Sequence, residues 1–191
     1  DDCVGLVLDK LTELKLDEKT IVIFTSDNGG LHVHEFTNSP STHNTPYRGG
    51  KGFLYEGGLR VPTIIRWPGH IKPAVTGVPI VNIDWVPTLL ALAGLKIPDG
   101  LDGQDQSPLL LGTKADQEPR VLYWHFPHYN NQGGRPAGAV REGDWKYIKH
   151  YDTGRVELYN LADDVAEQHD VATDHVGVAA SLDELHSTWL K

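Results

Sequence analysis

Three clusters of residues in this 191-residue chain have types and spacings suited to chemistry. The first is Asp27-Asn28, which closes the apolar run Ile21-Val22-Ile23-Phe24 and precedes Gly29-Gly30. Adjacent charged and neutral oxygens suit a hard cation such as Ca²⁺ or Mg²⁺. The same Asp-Asn-Gly sequence also makes an ordinary turn. The second is Lys51 between Gly50 and Gly52. An ammonium flanked by glycines suits an anion that must approach the backbone closely, and a solvated loop lysine is the plain alternative. In the same stretch, Glu56 and Arg60 read as structural ion-pair or hydrogen-bonding residues, and Arg48 as either a substrate contact or a brace. The third is the segment 125–136, HFPHYNNQGGRP. There His125, His128 and Arg135, with Tyr129, offer hydrogen bonds and an aromatic surface to a substrate, or else pack the loop over a small sheet.

These residues need elements to position them. The run 20–25 has no polar alternation and reads as a central strand of a parallel sheet, buried on both faces, with Asp27-Asn28 at its carboxyl end where ligands collect in open α/β sheets. Val4, Leu8 and Leu11 repeat at helical spacing over residues 4–14, with Cys3 packed at the start as a small hydrophobe. Residues 60–67 read as a strand restricted by Pro62. Residues 84–93 read as a helix with Asp84 as cap, Pro87 in the first turn, Gly94 as stop and an apolar face of Val86, Leu89, Leu90 and Ala93. Beyond residue 119 the pattern changes to short strands at 120–126, 137–141, 144–151 and 155–161, joined by turns at 142–143 and 152–154. A closing helix over 174–190 carries the stripe Val178, Leu182, Leu185, Trp189. His169, His175 and His186 read as surface residues.

Composition narrows the function classes. The net charge of −9 and the lack of a Lys/Arg cluster argue against a nucleic-acid partner. No apolar run approaches the roughly 20 residues of a membrane span. One cysteine excludes an internal disulfide.

The stretches FTSDNGG and GGKGFLYEGGLRVP, taken together, resemble the type I (formylglycine-dependent) sulfatases of the alkaline-phosphatase-like superfamily. IDWVPTLLALAGL, LDGQDQSPLLLG, GDWKYI and ELYNLADDVAEQHDVA are similar to further landmarks of that family, in the family's order. The resemblance covers essentially the whole chain and matches the family's C-terminal half. It implies an α/β fold class: residues 1–118 as the C-terminal part of the sulfatase catalytic domain, then residues 119–191 as a small antiparallel sheet packed with a C-terminal helix. It implies Asp27 and Asn28 as Ca²⁺ ligands, Lys51 as the catalytic lysine on the sulfate, and a sulfated carbohydrate or aryl sulfate as substrate. It tilts His125, His128 and Arg135 towards substrate binding. No Cys/Ser-x-Pro/Ala-x-Arg sequence occurs in the chain. The formylglycine and the remaining metal ligands are therefore expected upstream, in an N-terminal part of the same sulfatase that would be this chain's partner, and these 191 residues alone are expected to be inactive. Family habit places such enzymes in the periplasm or outside the cell. A phosphoesterase or phosphonate hydrolase of the same superfamily, and a non-catalytic sulfoglycan-binding module, are the alternatives.

Overall fold

The structure is a computed structural model that describes residues 1–34, 42–114 and 120–191. It divides into two compact units, one formed by residues 1–24 and 64–118, the other by residues 25–63 and 119–191.

In the first unit, α1 (Asp2–Glu13) leads through a 3-10 turn at Asp17–Lys19 into β1 (Val22–Phe24). β1 pairs antiparallel with β2 (Ile64–Arg66), in the register Val22↔Arg66 to Phe24↔Ile64. The expected parallel strand is thus, among the described residues, half of a two-stranded antiparallel ribbon with Phe24 and Ile64 exposed. An apolar run without alternation does not say which neighbour a strand takes. An ion pair of 2.7 Å from Arg66 to Asp17 and a hydrogen bond from Trp67 Nε1 to the Glu18 carbonyl tie β2 to the 3-10 turn.

α1 has the expected amphipathic pattern but buries none of its residues in this chain. Cys3, expected to pack, is an exposed free thiol. α3 (Trp85–Leu92) behaves likewise: its buried residues are Pro87 and Thr88, whereas Val86 and Leu89 of the predicted apolar face are exposed. Its anchoring is polar. Asp84, wholly buried, accepts from the amides of Val81 and Gln104, and Thr88 Oγ1 accepts from the Gln106 amide at the start of α4 (Ser107–Leu110).

The second unit has a layered core. Strands β3 (Val121–Phe126), β4 (Ala137–Glu142), β5 (Trp145–His150) and β6 (Val156–Asn160) form an antiparallel meander in that order. The β4–β5 turn is Gly143-Asp144, one residue later than the sequence suggests, with Gly143 in the left-handed region at φ 57°. Successive side chains alternate between two faces. Val140, Tyr147 and Leu158 pack against Leu182 of α5 (Val176–Trp189), joined by Val178 and Leu185, two residues of the predicted stripe. Ala137, Ala139, Ile148 and Tyr159 face the other way and pack against Leu54 and Tyr55 of the lysine loop. The loop is therefore a layer of the core and not an excursion from it. It includes a short helix, α2 (Glu56–Leu59), absent from the sequence reading. Among the described residues no helix is long and apolar enough to cross a membrane.

Candidate active site

Asp27-Asn28 and Lys51 lie on turns that are bonded to each other. The Lys51 amide donates to the Gly30 carbonyl at 3.2 Å, and the Gly29 amide to the Gly58 carbonyl at 2.9 Å. Asn44 fastens the same two turns from the side: its Oδ1 accepts from the Gly30 amide, and its Nδ2 donates to the carbonyls of Gly30 and Gly49. Gly29 is required by packing, since a methyl group there would collide with the Gly57 carbonyl. Within this frame Asp27 and Lys51 are exposed and Asn28 is half-buried. Asp27 Oδ1 accepts from the Asn28 amide at 3.0 Å, the Asx geometry that the turn reading anticipated. Asp27 Oδ2, the Asn28 side-chain amide and the Lys51 ammonium have no partner among the described residues. No group of three or more His, Cys, Asp or Glu residues able to hold a metal occurs among them either. Asp27-Asn28 is at most part of a cation site.

The residues behind the lysine loop are structural. Glu56 is buried, and its Oε1 lies 2.9 Å from the Nζ of Lys146, which has no exposed surface. The same ammonium is 2.8 Å from Glu167 Oε1, a charge contact without good hydrogen-bond alignment, while Glu167 Oε2 accepts from the Glu56 amide at 2.6 Å. Burial pushes the Glu167 carboxyl up, against the lowering effect of Lys146. Arg48 proves to be a brace: its guanidinium donates to Tyr159 and to the Glu167 carbonyl and lies 3.9 Å above the Tyr55 ring. Arg60 does not pair with Glu56 and sits over the Tyr47 ring instead.

Beneath Tyr55 lies a third buried carboxylate. Glu157 accepts from Tyr55, Tyr159 and His150, with Arg155 at 3.2 Å. Burial alone would raise its pKa, but the hydrogen bonds of His150, Tyr159 and Tyr55 and the charge of Arg155 prevail and hold it down to about 2. A carboxyl whose folded pKa lies below its unfolded value stabilises the fold above the unfolded pKa and loses that contribution as pH falls through the folded one. Urea unfolding between pH 5 and about 2 should therefore show a steep decline in stability that Glu157→Gln makes shallower, and an unchanged slope would remove Glu157 as the cause.

The loop after β3 divides its predicted residues between two places. His125 pairs in register with Gly138 on the α5 side of the sheet. Its Nδ1 meets the Tyr151 hydroxyl at 2.9 Å, and that hydroxyl meets His186 Nε2 at 3.0 Å. His186, expected on the surface, is 1% exposed, and burial lowers its pKa. His128 is exposed, its ring tilted against that of Phe126 with centroids 4.0 Å apart. The turn that precedes Arg135 meets the lysine turn: Asn130 Nδ2 donates to the Gly52 carbonyl at 2.7 Å, and a methyl group on Gly134 would strike that same carbonyl. The structure thus gathers Asp27, Asn28 and Lys51 on one pair of turns, brings the turn that precedes Arg135 against it, and leaves His125 on the helix face. Asn44 and Asn130 were missed. The signal for Asn130 was an asparagine beside a glycine-rich turn, where side-chain amides bond backbone groups; Asn44, flanked by His43 and Thr45, carries no such signal.

A family model described as N-sulphoglucosamine sulphohydrolase, C-terminal, matches residues 49–188, and one described as Sulfatase matches residues 1–95. The chain belongs to the sulfatase family. This sulfatase chain is 43% identical to human (Homo sapiens) arylsulfatase A over 154 residues, 80% of the chain and 29% of that relative. It is 31% identical to an N-acetylgalactosamine-6-O-sulfatase of Bacteroides thetaiotaomicron, over 97% of the chain and 39% of the relative. Among solved structures, BT4656 in complex with its substrate D-glucosamine-2-N,6-O-disulfate superposes with a TM-score of 0.72 at 25% identity, covering 97% of the chain and 37% of that structure. The sulfatase chain therefore spans between 29% and 39% of the length of these proteins.

Proposed function

We propose that this chain is the C-terminal part of a sulfuric ester hydrolase that removes sulfate from carbohydrate or aryl esters, and that it supplies the lysine and part of the cation site of that enzyme. The observation that carries the reading is the bonded pair of turns: Lys51 to Gly30, Gly29 to Gly58, and Asn44 across both. They place on one pair of turns an ammonium, a carboxylate oxygen and a side-chain amide that have no partner among the described residues. Names of relatives support the reaction class, arylsulfatase A and N-acetylgalactosamine-6-O-sulfatase among them.

Asp27 and Asn28 fit a Ca²⁺ half-site, because they are adjacent hard-oxygen residues and Asp27 Oδ2 and the Asn28 side-chain amide have no partner among the described residues. Bound there with ligands from elsewhere in the enzyme, Ca²⁺ would offset the charge of the sulfate ester. Lys51 donates to the sulfate oxygens, a point charge on a flexible stem that follows the anion. Gly50 and Gly52 keep that approach free of side chains. Asn44 keeps the lysine turn and the Asp27-Asn28 turn in one register. The nucleophile, a formylglycine by the family resemblance, belongs to a part of the longer enzyme that this chain does not contain.

Calorimetric titration of the full-length enzyme with Ca²⁺ tests the half-site. Asp27→Ala should weaken binding by about tenfold or more, as expected for loss of a charged ligand, with hydrolysis of an aryl sulfate falling in parallel. Unchanged affinity and rate would remove Asp27 from the site.

A further inference from the structure

A single oxygen organises the turn that touches the lysine loop. Asp152 Oδ2 accepts from the Tyr129 hydroxyl at 2.9 Å and from Arg135 Nε at 2.9 Å, and lies 2.7 Å from Arg135 Nη2. Tyr129 and Arg135 are the residues on either side of the 130–134 turn. That turn is closed internally, with Asn130 Oδ1 accepting from the amides of Gln132 and Gly134 at 3.0 Å. It is fastened externally by the 2.7 Å bond from Asn130 Nδ2 to the carbonyl of Gly52, the neighbour of Lys51. Asp152 lies at the surface, with its side chain 14% exposed beneath the two groups it holds. Those groups are more open: Tyr129 is 64% exposed and the Arg135 side chain 54%. Arg135 Nη1 keeps its donors free among the described residues.

We infer that Tyr129 and Arg135, held by Asp152, form a specificity platform beside Lys51 for a sulfated saccharide that carries a second acidic group. The inference rests on the sulfatase reading and names its substrate class. An exposed tyrosine is ordinarily free to turn about two side-chain torsions. Here the hydroxyl is pinned, so the ring presents a fixed apolar face with polar groups at its margin, which matches a pyranose ring. A guanidinium gripped along one edge keeps its remaining edge aimed outward, and a planar fork of that kind suits a carboxylate or sulfate oxygen. A plain aryl sulfate would leave the guanidinium without an acceptor. Asp152 touches no substrate; it is a positioning residue, and burial opposed by Tyr129 and Arg135 leaves its carboxyl below the usual range.

The test uses the full-length enzyme with two probes: p-nitrophenyl sulfate, and a sulfated disaccharide bearing a uronic carboxylate. Asp152→Asn, Tyr129→Ala and Arg135→Gln should each raise KM for the disaccharide about tenfold, the scale for a polar site left unmatched, with kcat little changed. The loss on p-nitrophenyl sulfate should be several-fold smaller than the loss on the disaccharide in all three. Tyr129→Phe keeps the ring, loses only the pin, and should raise KM less than Tyr129→Ala. It also serves if a larger change impairs folding, which circular dichroism would show. Equal losses on both probes, or no loss on the disaccharide, would overturn the platform while leaving the sulfatase reading in place. A wild-type enzyme inactive on both probes would overturn the sulfatase reading, and the platform with it.

Discussion

Lys51→Ala in the full-length enzyme is expected to lower the rate of sulfate-ester hydrolysis by about 10²–10³-fold, the usual loss on removing one preorganised donor to a developing charge. The expectation follows from placement. The Lys51 backbone is fixed by its own bond to Gly30, and its side chain is exposed. An ammonium with no ion-pair partner among the described residues, at a fixed root, is available to an anion. Steady-state kinetics on an aryl sulfate measures the effect, and the drop should appear on every sulfate ester, large or small. Lys51→Arg should recover little of the activity, because the guanidinium is broader and flatter than the ammonium and Gly50 and Gly52 fit the turn closely to its surroundings. A rate within about threefold of wild type for Lys51→Ala would mean that the lysine is only a solvated loop residue.

The second large effect is on stability. Lys146→Ala is expected to cost about 3–5 kcal/mol, because it leaves the carboxyl groups of Glu56 and Glu167 buried without their shared cation. The Lys146 side chain has no exposed surface and lies within 3 Å of both, at 2.9 and 2.8 Å. A pH signature accompanies the loss. The Glu167 carboxyl is already pushed up by burial, and without Lys146 the counteracting charge disappears. A carboxyl with a raised folded pKa favours the fold when protonated, so the deficit of the variant should be greatest at neutral pH and shrink as pH falls. Urea unfolding at pH 7 and pH 5 checks both parts. A loss below about 1 kcal/mol, the scale of a surface ion pair, would show that water reaches the ammonium.

Much of this was legible in the sequence, for reasons that differ between elements. The four strands of the meander and their turns follow from alternation and glycine placement, and α5 from its stripe, because local period is fixed by which side of an element meets the core. FTSDNGG and GGKGFLYEGG were recognisable as family landmarks, and both fall within the matched family models. Other features depend on partners far along the chain. Glu56 bonds Lys146 across 90 positions, and its amide bonds Glu167 across 111, so nothing near Glu56 announces a buried ion triad. The side of the sheet on which His125 falls was available in principle, since it shares parity with Tyr123, which stacks on Trp189 of α5. His186 was misread because a histidine in the last turn of a helix looks solvated until Tyr151 and Gly138 are placed against it. The exposed apolar residues of α1 and α3 are another case. Amphipathic spacing states that a face wants cover and not which part of a protein provides it.

Asn44 has a wider consequence. Its one amide closes bonds to Gly30 and Gly49, so the loop that carries the carboxylate and the loop that carries the ammonium share their hydrogen bonds. Neither can fray alone, because opening either strands polar groups on the other. The amide hydrogens of Gly29, Gly30 and Lys51 are therefore guarded by a single opening event, and the two loops form one cooperative unit of local unfolding. A cation that steadied the first loop would lengthen the lifetime of the second without touching it.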